Sequence, residues 1–101
     1  MSHRNQLSEA EEELLDILAE EAAEVIQAVQ KIKRFGHASI SPITEVSNRT
    51  QLEEELGDLE HLKQRLIQTG ALSAPAIDRF RVLKAAKLEQ WLMVCAPLES
   101  K

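Results

Sequence analysis

The chain has 101 residues and a formal net charge of -5, with 44% hydrophobic and only 3% aromatic residues. This length gives one domain with a modest core, and the scarcity of Gly and Pro favours helices over strands. The acidity argues against a nucleic-acid partner, and we see no signal peptide and no apolar run long enough to cross a membrane.

The first predicted helix runs from about Glu9 to Phe35. Ser8 is its expected N-cap, because a Glu follows three residues later as in a capping box. Gly36 is expected to end the helix. A loop over about 36–47, which contains several Ser, Thr and Pro residues, follows it.

Two further helices are predicted after this loop. Asn48 is the expected N-cap of the second helix, which would run to about Thr69. Ser73 would cap the third helix, which would continue to about Val94. We therefore expect an all-α chain with three main helices, forming a single domain over residues 1–101 with its core at about 9–94.

Two pairs of acidic residues stand within apolar stripes of the first two helices. Glu21 and Glu24 form the first pair, and Glu55 and Asp58 form the second. Residues three apart lie on one face of a helix, so each pair offers two neighbouring carboxylates. Four converging carboxylates repel one another unless a cation such as Mg²⁺, Mn²⁺ or Ca²⁺ neutralises them. The alternative is that both pairs are solvated edges of amphipathic helices.

The order of these motifs resembles the MazG-type all-α nucleoside triphosphate pyrophosphohydrolases. The similar elements are Glu-Glu-x-x-Glu from Glu20, Lys-Ile-Lys-Arg-Phe-Gly from Lys31, Asn48-Arg49, and Glu-Leu-Gly-Asp from Glu55. The similarity covers about residues 9–93, and the last helix looks like the tail of short members of phage and prophage type. The spacer between the acidic pairs looks long for the family, a departure that concerns the substrate-side loop and not the metal helices.

The resemblance implies a metal-dependent enzyme with Mg²⁺, or Mn²⁺, as its cofactor. Such an enzyme cleaves a nucleoside triphosphate between the α- and β-phosphates, giving a monophosphate and pyrophosphate, and so limits or cleans a nucleotide pool. Glu21, Glu24, Glu55 and Asp58 would hold the metal. Glu20 or Glu21 would orient or deprotonate the attacking water.

Six further side chains are candidates for binding the substrate: Lys31, Arg34, Asn48, Arg81, Lys84 and Lys87. Cations near a metal site can hold phosphate groups that the metal does not reach. The three cations of the third helix share one face, where they repel one another without an anionic partner. For the aromatic residues Phe35, Phe80 and Trp91 we expect core packing, with base stacking as the alternative.

The long first helix leaves apolar surface uncovered at Ile26, Val29 and Ile32. We therefore expect the bundle to be completed by a second copy, as a homodimer or homotetramer, the alternative being a compact three-helix monomer. The lone Cys95 cannot form an internal disulfide, which fits a cytoplasmic location.

Two other functions stay open at the level of sequence. The same surface suits a catalytically silent helical module that binds a nucleotide or a protein. Asp58 and His61 also have the spacing of the carboxylate–histidine pairs in di-iron bundles, and a dimer would supply two such pairs. A metal analysis separates this last alternative from a magnesium site.

Overall fold

A computed structural model describes residues 6–93, and three helices account for most of that range. They are α1 (Glu9–Phe35), α2 (Asn48–Gln68) and α3 (Ala74–Trp91). The predicted all-α class and helix number are confirmed. Two compact units divide after Ala71, with α1 and α2 in the first and α3 in the second. Val94 and Cys95, named above, lie outside the described residues.

Both ends of α1 follow from local sequence signals. The Ser8 hydroxyl accepts a hydrogen bond from the Glu11 backbone N–H at 3.1 Å, as expected for an N-cap. At the other end Gly36 has φ of 86° and its N–H donates to the Ile32 carbonyl at 2.7 Å. Because this backbone conformation is strained for residues with a Cβ atom, glycine suits the end of the helix.

The N-cap of α2 is Ser47, so the assignment of this role to Asn48 was wrong. The Ser47 hydroxyl accepts from the Thr50 backbone N–H at 3.1 Å. Asn48 is already helical and buried, and its side-chain Nδ2 donates to the carbonyls of Gly36 at 3.0 Å and Lys31 at 3.4 Å. The Asn48 amide therefore fastens the start of α2 to the end of α1.

Helices α1 and α2 pack as an antiparallel pair. Leu14, near the start of α1, packs with Leu62 and Leu66, near the end of α2. At the opposite end of the pair, Asn48 reaches the Lys31 carbonyl. This register places the middle of α1 opposite the middle of α2, where the two predicted acidic pairs lie.

The apolar core of the described residues is small. Its buried members are Leu14, Ala28, Leu62 and Leu66. Ile26 is 62% exposed and Val29 is also exposed, as predicted, whereas Ile32 is partly buried and was wrongly expected to be uncovered. A core of this size leaves α1 with apolar surface that another molecule can cover.

Helix α3 begins as predicted and ends earlier. Ser73 accepts from the Ala76 backbone N–H at 3.2 Å, and the helix ends at Trp91 because Leu92 has extended backbone. None of its residues is buried. Phe80 and Trp91 are exposed, as is Phe35 of α1, so the expectation of core packing was wrong for all three. Within the described range no helix is long and apolar enough to cross a membrane.

Candidate functional site

Three of the four acids of the predicted pairs come together between α1 and α2. One carboxylate oxygen each from Glu21, Glu24 and Glu55 lies within 4.8 Å of the other two. Glu21 and Glu24 project from one face of α1 because they are three residues apart. The antiparallel register then brings Glu55 of α2 opposite them. We call these three residues the acidic cluster.

The acidic cluster is partly withdrawn from water. Glu55 is only 8% exposed, Glu21 is half-buried and Glu24 is exposed. The Glu21 Oε2 atom is buried and has no hydrogen-bond partner among the described residues. A buried carboxylate oxygen without a partner is unfavourable, so Glu21 keeps an unsatisfied acceptor within this cluster.

Asp58 lies beside the acidic cluster, one helical turn after Glu55, with an exposed side chain. It lines a cavity of about 360 Å³ together with Ile17, Glu21, His61 and Leu62. Asp58 therefore adds a fourth carboxylate at the mouth of the site, where a ligand entering from solvent would meet it.

Burial and nearby negative charges raise the pKa of two carboxyl groups of the cluster. Burial raises the pKa of Glu55 from 4.5 to about 7, helped by a hydrogen bond with Glu24 and by the negative charges of Glu24, Glu21 and Asp58. The pKa of Glu21 is also raised, first by burial and then by the charges of Glu24 and Asp58. Near neutral pH Glu55 therefore binds a proton in part, and a cation would replace that proton.

The donor set fits a hard divalent cation. Carboxylate oxygens are the ligands that Mg²⁺ and Mn²⁺ prefer, and two oxygens on one Mg²⁺ lie at most about 4.2 Å apart. The oxygens of the acidic cluster are within 4.8 Å of one another, so small side-chain rotations suffice to bring them into one coordination sphere. The unpartnered Glu21 Oε2 is the atom that such an ion would satisfy.

Two other sequence candidates lie at the edge of this arrangement. Glu20 is exposed next to Glu21, and its side chain forms no hydrogen bond within the described residues; its catalytic role stays a prediction. His61 lines the cavity with Asp58, but the group able to hold a metal in the described part of the chain consists of carboxylates alone. Residues 6–93 of one copy therefore offer a set of carboxylates and no set that contains a histidine.

The predicted substrate-binding residues of the first unit lie toward the end of the helix pair where the loop connects α1 to α2. Lys31 and Asn48 line a second cavity, of about 280 Å³, beside the loop between α1 and α2. The Arg34 guanidinium lies over the Phe35 ring, 5.2 Å from its centroid. Sequence reasoning missed the loop residues Ser39, Ile40, Ser41 and Pro42 as walls of this cavity, because no periodicity marks them.

The three predicted cations of α3 belong to the second unit. All are exposed, and Arg81 Nε donates to Asp78 Oδ1 at 3.0 Å. Arg81 thus has the anionic partner that the sequence argument assumed was missing, whereas Lys84 and Lys87 form no ion pair within residues 6–93. Phosphate binding by these residues stays a prediction.

Comparison with protein families identifies the first unit. The model of the MazG nucleotide pyrophosphohydrolase domain matches residues 9–73, which is more than half of the chain and contains both acidic pairs. Comparisons with curated proteins and with solved structures gave no match. Because the matched segment ends before α3, the similarity of that helix to short phage-type members stays a prediction.

Proposed function

Because the chain belongs to the MazG nucleotide pyrophosphohydrolase family, we propose that it hydrolyses nucleoside triphosphates in a divalent-metal-dependent reaction. The bond cleaved lies between the α- and β-phosphates, so the products are a nucleoside monophosphate and pyrophosphate, and the role is control of a nucleotide pool. The observation that carries this proposal is that Glu21, Glu24 and Glu55 bring carboxylate oxygens together between two helices, and that one oxygen of Glu21, Oε2, is buried without a hydrogen-bond partner among the described residues.

The acids of the site have two roles, metal binding and activation of water. Glu21, Glu24 and Glu55 would hold Mg²⁺ or Mn²⁺, with Asp58, which lines the adjoining cavity, as a fourth ligand. When bound, a divalent cation neutralises phosphate charge and makes water more acidic. Glu20 or Glu21 orients the attacking water and accepts its proton. Glu20 is available for this because it is exposed and adjoins the cluster.

Positive side chains bind the phosphate groups whose negative charge the metal does not neutralise. In the first unit, Lys31 and Arg34 follow the first acidic pair on α1 and are the candidates for this role; for Arg81, Lys84 and Lys87 of α3, in the second unit, phosphate binding is a separate prediction. A highly charged anion approaching an acidic cluster needs such counter-charges in addition to the metal. Asn48 contributes by holding the cavity wall through its hydrogen bonds to Gly36 and Lys31.

The proposal is tested by a pyrophosphate-release screen over standard and damaged nucleoside triphosphates. With Mg²⁺ or Mn²⁺ we expect pyrophosphate and no orthophosphate from at least one nucleotide, and no product after chelation with EDTA. If orthophosphate is the product, the proposed metal site stands, but the assignment of the cleaved bond is wrong. Absence of any product from folded protein with saturating metal would favour a silent nucleotide-binding module.

We also propose that a second copy of the chain covers the exposed apolar face of α1, giving a homodimer or homotetramer. The small core, and the exposure of Ile26 and Val29, support this assembly. Light scattering at micromolar concentration should report at least twice the mass of one chain, and Ile26→Glu should shift the protein toward monomer. The control is Gln27→Glu, which adds the same charge at the neighbouring exposed position. A monomer at all concentrations contradicts the assembly.

A further inference from the structure

The cavity beside the loop between α1 and α2 is not used by the metal chemistry. Its walls combine the apolar side chains of Phe35, Ile40 and Pro42 with the polar side chains of Lys31 and Asn48. Its volume of about 280 Å³ approaches the size of cavities that enclose small ligands. Apolar walls with a few convergent polar groups are typical of sites that bind small molecules.

The cavity lies in line with the acidic cluster along both helices. Lys31 is seven residues after Glu24 on α1, and Asn48 is seven residues before Glu55 on α2. Seven residues are two turns, so each pair shares a helix face and is separated by about 10 Å along the axis. Because the helices are antiparallel, both displacements run in the same direction. The cavity therefore lies about two helical turns from the cluster, on the same surface of the helix pair.

We infer that this cavity receives the base and sugar of the nucleotide whose phosphates are held at the acidic cluster. The inference rests on the proposed function and adds the subsite that selects the nucleoside. A separation of two helical turns is comparable to the span from phosphate to base across a sugar. Among the residues that line the cavity, Phe35 offers a ring for stacking, Ile40 and Pro42 offer apolar contacts for a base, and Lys31 offers a positive charge for the anionic end of the ligand.

Backbone hydrogen bonds fix the loop that forms the cavity wall. The Asn48 N–H donates to the Ser39 carbonyl at 2.9 Å, and the Arg49 N–H donates to the His37 carbonyl at 3.1 Å. Within the loop, the Glu45 N–H donates to the Ser41 carbonyl at 2.9 Å. A wall held in this way is preformed, so little ordering is needed when a ligand binds. The long spacer thus becomes the segment that determines nucleoside preference.

The test uses the full chain and nucleoside 5′-monophosphates, the products of the proposed reaction, as probes. The standard ribo- and deoxyribonucleotides are titrated without metal and followed by amide NMR shifts. We expect at least one of them to shift the amides of Gly36, Ser39 and Ile40 in a saturable manner. If no monophosphate shifts these amides at millimolar concentration, the cavity is not a nucleoside subsite.

Two matched tryptophan substitutions separate this cavity from the rest of the loop. Ile40 lines the cavity and is 64% exposed, whereas Ile43 is 90% exposed and lies outside its walls. Ile40→Trp should fill the cavity and weaken monophosphate binding about tenfold or more, which corresponds to about 1.4 kcal/mol. Ile43→Trp should bind like the parent. Equal affinity in the two variants would overturn the inference, and thermal unfolding confirms that both are folded.

Activity measurements distinguish failure of this inference from failure of the proposed function. Ile40→Trp should lower kcat/KM for pyrophosphate release while Mn²⁺ binding, measured by calorimetry, stays unchanged. If Ile40→Trp retains the parental kcat/KM, the reaction stands and the nucleoside subsite is rejected. If the parent releases no pyrophosphate but monophosphates still shift the loop amides, the subsite stands and the reaction is rejected.

Discussion

Glu24→Gln is expected to abolish pyrophosphate release while leaving the helices intact. The substitution keeps the size of the side chain and removes the negative charge that Glu24 contributes to the acidic cluster. Loss of a metal ligand removes several kcal/mol of transition-state stabilisation, and about 4 kcal/mol corresponds to about a thousandfold in rate. Because Glu24 is exposed, its replacement disturbs no core packing.

Asp58→Asn tests the fourth carboxylate in the same assay. Asp58 lies at the mouth of the site, and we expect a similar loss of turnover with circular dichroism unchanged. The control is Glu13→Gln, which makes the Glu24→Gln change at another exposed position of α1 and should retain full activity. Near-parental turnover of Glu24→Gln or Asp58→Asn with metal would remove that residue from the catalytic site.

Much of the helical architecture could be predicted from local sequence because its signals are local. Ser8, Gly36 and Ser73 each act within one turn of the helix end that they define. The start of α2 was assigned one residue late because Ser47 and Asn48 are both good N-cap residues. The choice depends on tertiary structure: the Asn48 amide is committed to the Gly36 carbonyl, which no local pattern reveals.

The candidate site, like the helices, could be predicted where local motifs mark it and was missed where tertiary contacts determine it. The spacing of Glu21, Glu24 and Glu55 within apolar stripes left open whether the acids converge or stay solvated, and the resemblance to the family made convergence between two helices the prediction, as observed. The loop wall of the second cavity has no periodicity, and its shape follows from backbone hydrogen bonds such as that from Asn48 to Ser39. The exposure of Phe35 was missed because core packing is the commoner role of an aromatic residue in a helix.

Glu55→Gln is expected to stabilise the metal-free protein and to remove much of its dependence on pH. The pKa of Glu55 is raised in the folded chain to about 7 from 4.5, so between these values the folded state binds more protons than the unfolded state. Stability therefore falls as pH rises through this window. Lowering the pH from about 8 to about 5.5 in EDTA should raise the free energy of unfolding of the parent by about 2 kcal/mol, measured by urea denaturation.

Comparison of Glu55→Gln with the parent, without and with Mg²⁺, separates the titration of Glu55 from that of other groups. Glu55→Gln cannot ionise at this position, so its free energy of unfolding near pH 8 should exceed that of the metal-free parent and change less with pH. Glu54→Gln, at the neighbouring exposed position, should retain the parental pH dependence. Mg²⁺ should stabilise the parent near pH 8 because it binds the folded cluster, and should have little effect on Glu55→Gln. Equal stabilisation of both by Mg²⁺ would place the cation elsewhere, since the buried carboxylate of Glu55 would then be unnecessary for binding.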